Sequence, residues 1–138
     1  MTFRISRYPT FLLLAILLVL ACKQQKSKAY DVTISVTATA YNSTEAQTKK
    51  GNPNLTAWGD TLIPGVKAIA VSRDLISKGL IHNTKVKIEG LEGVYLVKDK
   101  MNKRWRNRID IYMGLDNEAA RTWGKQQVEI KFDTINRK

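Results

Sequence analysis

Two aspartates, Asp99 and Asp110, are the residues of this chain best placed for acid–base chemistry. Asp99 follows the apolar pair Leu96 and Val97, and Asp110 alternates with apolar residues in the run IDIYMG. Alternation with a period of two indicates a β-strand with one buried face, where aspartate is disfavoured. A carboxylate in such a place needs hydrogen-bond donors or a neighbouring cation, or it stays protonated. Both carboxyl groups are therefore candidates for giving or taking a proton.

A basic loop separates the two aspartates and supplies an alternative interpretation. Arg104, Arg106 and Arg108 lie within or beside this loop. If one of these guanidinium groups pairs with Asp110, the carboxyl group is ionised and serves as an ordinary paired surface charge. This segment alone leaves both interpretations open.

The first 22 residues have the pattern of an export signal. Arg4 and Arg7 give a positive start, an apolar run follows from Phe11 to Leu20, and Cys22 ends the segment. It resembles a bacterial lipoprotein signal, in which cleavage precedes a cysteine that then carries a lipid. A transmembrane anchor would need roughly 20 apolar residues, about twice the number present. Ordinary secretion is the other alternative, but Cys22 is the chain's only cysteine, which favours lipidation over a disulfide or a catalytic thiol.

The chain is strongly basic, with 23 Lys and Arg residues against 12 Asp and Glu residues. Removal of the segment before Cys22 takes away Arg4 and Arg7, which leaves 21 basic residues and a formal charge of +9. Such an excess favours polyanionic partners. Export argues against nucleic acid, so cell-wall glycan and an anionic membrane surface remain, with simple solubility as the bland alternative.

The rest of the chain predicts one small β-domain, residues 30–138, behind a flexible tether at residues 23–29. A helix is predicted from Asp116 to Trp123, with Asp116 as its cap. Another helical turn is predicted from Asp74 to Gly79. Six short strands with frequent turn signals favour a small barrel over a sandwich. The strands are predicted near residues 32–41, 66–72, 85–89, 94–97, 109–113 and 128–132.

Several single residues have both a functional and a structural interpretation. Tyr41, Trp58 and Trp105 could stack on sugar rings, although aromatic residues of small β-domains more often belong to the core. His82, the only histidine, is expected at the surface rather than in catalysis. One histidine and scattered acids offer no metal cluster, phosphate loop or Ser-His-Asp set, so no metal and no cofactor are predicted.

The order and spacing of several short motifs resemble the 3D domain, a family named for three aspartates. The motifs are Thr39-Ala40-Tyr41, Thr56-Ala57-Trp58-Gly59, Pro64-Gly65, Ile69-Ala70-Val71, Asp99, and Asn107-Arg108-Ile109-Asp110-Ile111-Tyr112. Similar domains form the catalytic part of membrane-bound lytic transglycosylase A. The resemblance implies an all-β fold, a six-stranded double-psi β-barrel with one or two short helices, shared with rare lipoprotein A and expansins.

The resemblance also implies a function at the cell envelope. Lytic transglycosylases cleave the bond between N-acetylmuramic acid and N-acetylglucosamine without water and leave 1,6-anhydro-muramic ends. By motif position, Asp110 would be the acid and then the base, and Asp99 would raise the pKa of Asp110 and stabilise the transition state. The implied substrate-binding residues are Tyr41, Thr56, Trp58 and Gly59. The predicted protein is a monomeric lipoprotein, anchored through Cys22 on the periplasmic or outer side of a membrane, with peptidoglycan strands as partner.

Two departures from the family pattern keep an alternative open. Ser72 stands where the family usually has its first aspartate, so the triad is complete only if Asp74 substitutes for it. Lys100 and Met101 replace the threonine and glycine that many members have after the second aspartate. The alternative function is a peptidoglycan-binding module of the same fold that does not cut its ligand.

Overall fold

The computed structural model describes residues 30–43 and 52–134 of the chain. The predicted signal peptide, the lipidation site at Cys22, the tether at residues 23–29 and the middle of the loop after Tyr41 lie outside these ranges. Within them, no helix is both long enough and apolar enough to cross a membrane.

Six strands and two short helices make up the described fold. The strands are β1 (Val32–Tyr41), β2 (Ala68–Val71), β3 (Lys85–Ile88), β4 (Tyr95–Lys100), β5 (Arg108–Tyr112) and β6 (Gln126–Phe132). The helices are α1 (Arg73–Ser77) and α2 (Asn117–Trp123). Each lies within a few residues of its predicted position, but β4 continues through Asp99 instead of ending before it.

The strands close into a barrel in the order β1-β5-β2-β4-β3-β6. Two of the pairings are parallel, β1 with β5 and β2 with β4, and the other four are antiparallel. Strands that are distant in the sequence are therefore neighbours, and the chain must cross over between them. The prediction of an all-β, six-stranded double-psi β-barrel with short helices is confirmed.

The barrel interior is filled by branched aliphatic side chains that alternate with outward-facing residues. In β5, Ile109 and Ile111 are fully buried while Asp110 between them is only half-buried, as the period of two requires. The interior also contains fully buried residues from the other five strands and from the segment after α1. They are Val36, Ala38, Ile69, Val71, Leu80, Val86, Val97, Ile130 and Phe132.

Both helices begin at a small polar residue. Asp116 precedes α2 and its carboxylate accepts a hydrogen bond from the Ala119 backbone N–H at 2.8 Å, which confirms the predicted cap. Gly124 ends α2 with a positive φ of 64°. Ser72 precedes α1 but makes no side-chain cap; its hydroxyl instead accepts from the Arg108 backbone N–H at 3.0 Å.

An irregularity in the pairing of β2 with β4 decides where Asp99 lies. Ile69 pairs with Val97, but the next residue, Ala70, pairs with Asp99, so Lys98 is an extra residue in β4. Side chains of a regular strand two positions apart share a face, which would place Asp99 with buried Val97. One extra residue reverses the alternation. Asp99 therefore comes to the outer face of the barrel.

Candidate functional site

Four neighbouring strands bring the two predicted catalytic aspartates to one level of the outer surface. Ala70 in β2 pairs with Asp110 of β5 on one side and with Asp99 of β4 on the other. The two aspartates are thus separated by two strand spacings of about 4.8 Å each. On the far side of β5, Thr39 of β1 pairs with Asp110, and Tyr41 pairs with Tyr112.

A cleft of about 480 Å³ lies over these strands, a size typical of small-ligand sites. Its floor contains Ala70 between Asp99 and Asp110, and the small Ala70 side chain leaves the space between the carboxyl groups open. Residues 53–57 with Leu62 and the loop after β4 also line the cleft. The lining residues are Tyr41, Pro53, Asn54, Leu55, Thr56, Ala57, Leu62, Ala70, Asp99, Lys100, Met101, Asn102, Trp105 and Asp110.

Asp110 is a half-buried carboxyl group with one oxygen held by the protein. The Thr39 hydroxyl donates to its Oδ1 at 2.9 Å, and the same hydroxyl oxygen accepts from Arg108 Nε at 3.3 Å. Because Arg108 can only donate, the Thr39 proton must go to another acceptor, and Oδ1 lies closer than the alternative, the Ile109 carbonyl oxygen at 3.5 Å. A proton on Asp110 must then sit on Oδ2. Burial raises the pKa of Asp110, and the Asp99 charge adds to this, while Thr39 and Arg108 oppose it without reversing the direction.

Asp99, like Asp110, accepts hydrogen bonds from the protein through only one of its carboxyl oxygens. Its Oδ1 accepts two backbone hydrogen bonds of 2.8 Å each, from Ala57 N–H and from Lys100 N–H. Burial raises its pKa and the charge of Asp60 adds to this, whereas the two backbone donors and the Lys100 ammonium work in the opposite direction. Both cleft aspartates therefore tend to keep a proton above the usual range for aspartate, and for both, Oδ2 has no partner among the described side chains and backbone.

Tyr41 lines the cleft, but its ring does not lie open as a platform. It packs against the Tyr112 ring, with centroids 5.5 Å apart and planes inclined at 51°. The Tyr41 hydroxyl is buried and has no hydrogen-bond partner in the part of the chain that the structure describes. Burial raises the pKa of Tyr41, and the charges of Asp99 and Asp110 raise it further.

Residues 54–62 form a small hairpin that brings one predicted binding residue, Thr56, to the cleft, whereas Gly59 is not among the lining residues. Leu55 and Thr61 make an isolated β-bridge, and Gly59 turns the chain with a φ of 89°, a conformation that favours glycine. Thr56 is buried and lines the cleft, yet its hydroxyl accepts from the Asp60 backbone N–H at 3.0 Å instead of contacting Asp99 or Asp110. The residue after it, Ala57, makes that contact through its backbone.

Trp58 belongs to the same hairpin but is not among the residues that line the cleft. Its ring packs on His82 at a centroid distance of 5.2 Å, and the Lys100 ammonium lies 5.7 Å from its centroid. His82 and Lys98 both contact the Asp60 carboxylate, Lys98 at 3.0 Å. The Lys98 hydrogen bond is the main cause that lowers the pKa of Asp60. His82, predicted to be a surface residue, is a partly exposed anchor for the hairpin.

The basic loop between the aspartates contacts the cleft through Trp105. The Arg108 guanidinium lies 4.0 Å from the Trp105 ring centroid, and that of Arg104 lies at 4.9 Å. Arg108 does face the site, but within the described residues neither it nor Arg106 forms an ion pair with Asp110. The Arg108 charge lowers the pKa of Asp110, and its Nε also donates to the Thr39 hydroxyl.

Asp74, the residue that would have to substitute for the missing first aspartate, lies apart from the cleft. Its Oδ2 accepts from the Asn107 backbone N–H at 2.9 Å, which ties α1 to the chain just before β5. Although burial acts in the opposite direction, hydrogen bonds from Asn107 and Ser72 lower the pKa of Asp74. Neither Asp74 nor Ser72 is among the cleft-lining residues. The structure thus brings together two aspartates, not three.

A second, more open cavity of about 540 Å³ lies beside α2. Asp116, one of its two acids, is engaged as the helix cap. The other lining residues are Met113, Glu118, Ala119, Thr122, Trp123 and Gln126. The cleft contains the two aspartates whose pKa is raised, so we place the candidate site there. In the described ranges, no three His, Cys, Asp or Glu side chains lie close enough to hold a metal ion.

Sequence reasoning missed two residues that the structure brings into the site. Thr39 orients the Asp110 carboxyl group, and Ala70 forms the floor between the two aspartates. Both belong to motifs that carried the family resemblance, so the pattern contained them. The signal available for Thr39 was its place two residues before Tyr41, which puts both side chains on one face of β1.

Comparison with known proteins yields similarity in structure only. No protein-family model matches the chain, and neither does any curated protein sequence. A papain inhibitor from Streptomyces is 18% identical over 75% of this chain and 96% of its own, with a TM-score of 0.49. The ligand-free expansin of Clavibacter michiganensis is 18% identical over 78% of this chain, with a TM-score of 0.47.

A mutant of that expansin in complex with cellohexaose is also 18% identical, over 73% of this chain, with a TM-score of 0.46. This chain spans about half the length of either expansin chain, 52% and 50% respectively.

Proposed function

We propose that this protein binds glycan strands of peptidoglycan in the cleft and cleaves them as a lytic transglycosylase does. The observation that carries the proposal is the pair of half-buried carboxyl groups, Asp99 and Asp110, on either side of Ala70. Both have a raised pKa, and both have Oδ1 held by donors of the protein. Such a pair suits chemistry that needs one carboxylic acid and one group that supports developing positive charge.

In the proposed reaction, Asp110 acts first as the acid. Its Oδ2 proton passes to the glycosidic oxygen as the bond from that oxygen to C1 of the muramic sugar breaks. The hydroxyl on C6 of the same sugar then bonds to C1, and its proton returns to the Asp110 carboxylate. Asp99, ionised during this step, stabilises the positive charge that develops at C1. The product is a 1,6-anhydro sugar, and the enzyme ends in its starting protonation state.

The envelope location is part of the same proposal. Export through residues 1–22, a lipid on Cys22 and a tether at residues 23–29 would hold the domain beside the wall. The high positive charge of the chain favours retention on an anionic polymer or membrane surface.

A non-catalytic glycan-binding module is the second candidate, and one contact favours it. Arg108 and the Thr39 hydroxyl both lower the pKa of Asp110 against the effect of burial. If these two interactions keep the pKa of Asp110 below the working pH, Asp110 is ionised and cannot act as the acid. The cleft would then bind a sugar chain without cutting it.

Digestion of purified peptidoglycan tests the two candidates against each other. The parent protein and Asp110→Asn are incubated with sacculi, and the released material is analysed by mass spectrometry for 1,6-anhydro-muramic ends. The proposal predicts these ends with the parent protein only. Co-sedimentation of both proteins with sacculi without any release would favour the binding module, and no co-sedimentation of either would refute both.

A further inference from the structure

The loop after β4 has an excess of positive charge that the proposed reaction does not use. Residues 101–107 include Lys103, Arg104 and Arg106 but no acidic residue, and these three side chains are exposed. In the described ranges none of them forms an ion pair, although the Arg106 charge acts on Asp74, apart from the cleft. Exposed cations commonly serve solubility alone. A binding role therefore requires that one of them is held in a defined place beside the cleft.

Trp105 holds Arg104 in such a place. The Trp105 ring lines the cleft, and the Arg104 and Arg108 guanidinium groups lie over it, 4.9 and 4.0 Å from its centroid. A guanidinium over an indole ring is restricted in position while its N–H groups remain available as donors. Arg108 already donates through Nε to Thr39. The Arg104 side chain has no hydrogen-bond acceptor among the described residues.

The floor of the cleft and its Trp105 side differ in charge. The floor contains Asp99 and Asp110, whose raised pKa favours the uncharged form. The Trp105 side has two guanidinium groups, which stay charged at any working pH. A ligand that suits both regions has an uncharged part over the aspartates and an anionic part beside Trp105.

We propose that the arginine–tryptophan cluster, Arg104 with Trp105 and Arg108, binds free carboxylates on the peptide side chains of peptidoglycan, and that Arg104 determines this specificity. The inference rests on the proposed function, because it assumes that the glycan of the same strand occupies the cleft. The peptides of wall glycan are attached to the muramic sugar, whose C1 reacts at Asp110 in the proposed reaction. Both Trp105 and Asp110 line the cleft, so a strand placed for reaction has its peptide close to the cluster.

The geometry favours a peptide carboxylate over an anionic membrane surface. A membrane is broad and contacts cations that are spread over one face of a protein. These two guanidinium groups instead converge on one half-buried ring that lines a concave cleft. A carboxylate can enter such a place, and its two oxygens can accept parallel hydrogen bonds from one guanidinium.

Binding to two forms of one ligand tests the inference. Soluble peptide-bearing strands are titrated into full-length Asp110→Asn, which should bind without cutting, and into the same protein with Arg104→Gln added. The strands are used before and after a carbodiimide and excess methylamine convert their carboxyl groups to neutral methylamides. We expect Arg104→Gln to weaken binding of the untreated strands by about two- to fivefold, the range for one exposed ion pair. Binding of the amidated strands should not change, which also shows that the variant is folded.

Lys131→Gln in the same background is the matched control for net charge. Lys131 is exposed in β6, which pairs with none of the strands β2, β4 and β5 that carry the cleft floor. The substitution removes one positive charge, as Arg104→Gln does. It should leave the binding of both forms of the strands unchanged.

The contrary outcomes are distinct. If Arg104→Gln binds untreated strands as tightly as its parent, the role of Arg104 is refuted while the proposed function stands. An equal loss with Lys131→Gln would mean that net charge alone attracts the strands, and an equal loss for both ligand forms would mean that Arg104 contacts an uncharged group. Either result overturns the inference.

Vesicles distinguish the membrane alternative. Binding of both proteins to phosphatidylglycerol vesicles is compared with binding to phosphatidylcholine vesicles, so that any lipid anchor contributes equally. We expect no difference between the proteins. If Arg104→Gln weakens binding to phosphatidylglycerol vesicles but not to strands, the cluster serves the membrane and the inference is wrong. If neither the natural sequence nor Asp110→Asn binds either form of the strands, the proposed function fails and this inference fails with it.

Discussion

The aspartates of the cleft and the aspartates that anchor its surroundings differ in how their carboxyl groups are satisfied. Asp60 accepts from Lys98 and contacts His82, and Asp74 accepts from Asn107, and in both the pKa is lowered. For Asp99 and Asp110, the effect of burial outweighs that of their hydrogen bonds and neighbouring cations, and their pKa is raised. The comparison shows that the sign of the shift separates carboxylates that hold loops in place from carboxyl groups available for chemistry.

Backbone geometry produces this division. Asp60 and Asp74 lie outside the strands, in the hairpin and in α1, where they can turn toward donors. Asp99 and Asp110 lie within strands β4 and β5, where the directions of the side chains are imposed by pairing with Ala70. Protein donors contact only Oδ1 of each, and both residues line the cleft.

The largest effect that would sharpen the comparison is expected from Asp110→Asn. The amide cannot give a proton to a leaving oxygen, so transglycosylase activity should fall by about a hundred- to ten-thousandfold. Stability should not fall, because a buried ionisable group is replaced by a neutral one of similar shape. Measurement of anhydro-sugar release and of urea unfolding checks both parts. Activity within a few-fold of the parent protein would mean that Asp110 is not the acid.

Asp74→Ala should show the opposite combination. Loss of the acceptor for the Asn107 backbone N–H is expected to lower the free energy of unfolding by about 1–3 kcal/mol. Activity at a temperature where the variant is folded should stay close to that of the parent protein, since Asp74 does not line the cleft. Unfolding and activity assays on one preparation test this. A variant that is fully stable but inactive would show that Asp74 does belong to the site.

The two pairs of aspartates should make the free energy of unfolding depend on pH in opposite directions. Protonated Asp99 and Asp110 are favoured by the fold, so their contribution to the free energy of unfolding decreases as pH rises from the usual aspartate pKa through the raised ones. The contribution of Asp60 and Asp74 is present above the usual pKa and is lost as pH falls through their lowered pKa values. Asp99→Asn combined with Asp110→Asn should remove the first dependence and leave the second, as urea unfolding across pH 2–8 would show.

The smallest effect is expected from Thr39→Val, which keeps the shape of the side chain. Removal of the hydroxyl takes away the hydrogen bond to Oδ1 and with it the link to Arg108, so the pKa of Asp110 should rise. Because Asp110 must be protonated to act as the acid, the alkaline limb of the pH–activity profile should move to higher pH, with less than a tenfold change in maximal activity. A shift in the opposite direction would show that the Thr39 hydroxyl does not stabilise the ionised form of Asp110.

The sequence predicted the elements of the fold better than the arrangement of the site. Alternation in VTISVTATAY and in RIDIYMG identified β1 and β5, and Asp116 marked the start of α2. These signals are local, because they depend on which face of a strand is buried and on helix capping. Asp110 could be placed mid-strand by the same signal.

The position of Asp99 could not be obtained from alternation. Regular spacing from Val97 puts its side chain inside the barrel, and only the extra residue at Lys98 turns it outward. The bulge is a property of pairing with β2, a strand nearly thirty residues earlier in the chain. The contact of Asp99 with Ala57 likewise joins segments that are distant in sequence. The place of Trp58 was equally hidden from the sequence: its motif predicted sugar contact, and its ring packs on His82 outside the set of residues that line the cleft.

Site-resolved titration of the carboxyl groups tests the central claim most directly. The carboxyl carbons of Asp60, Asp74, Asp99 and Asp110 would be followed by NMR as a function of pH in protein labelled with carbon-13. We predict that Asp99 and Asp110 titrate above the usual aspartate value and that Asp60 and Asp74 titrate below it. If Asp110 titrates together with Asp60 or below it, Asp110 is an ionised, paired carboxylate at neutral pH and the catalytic account is wrong.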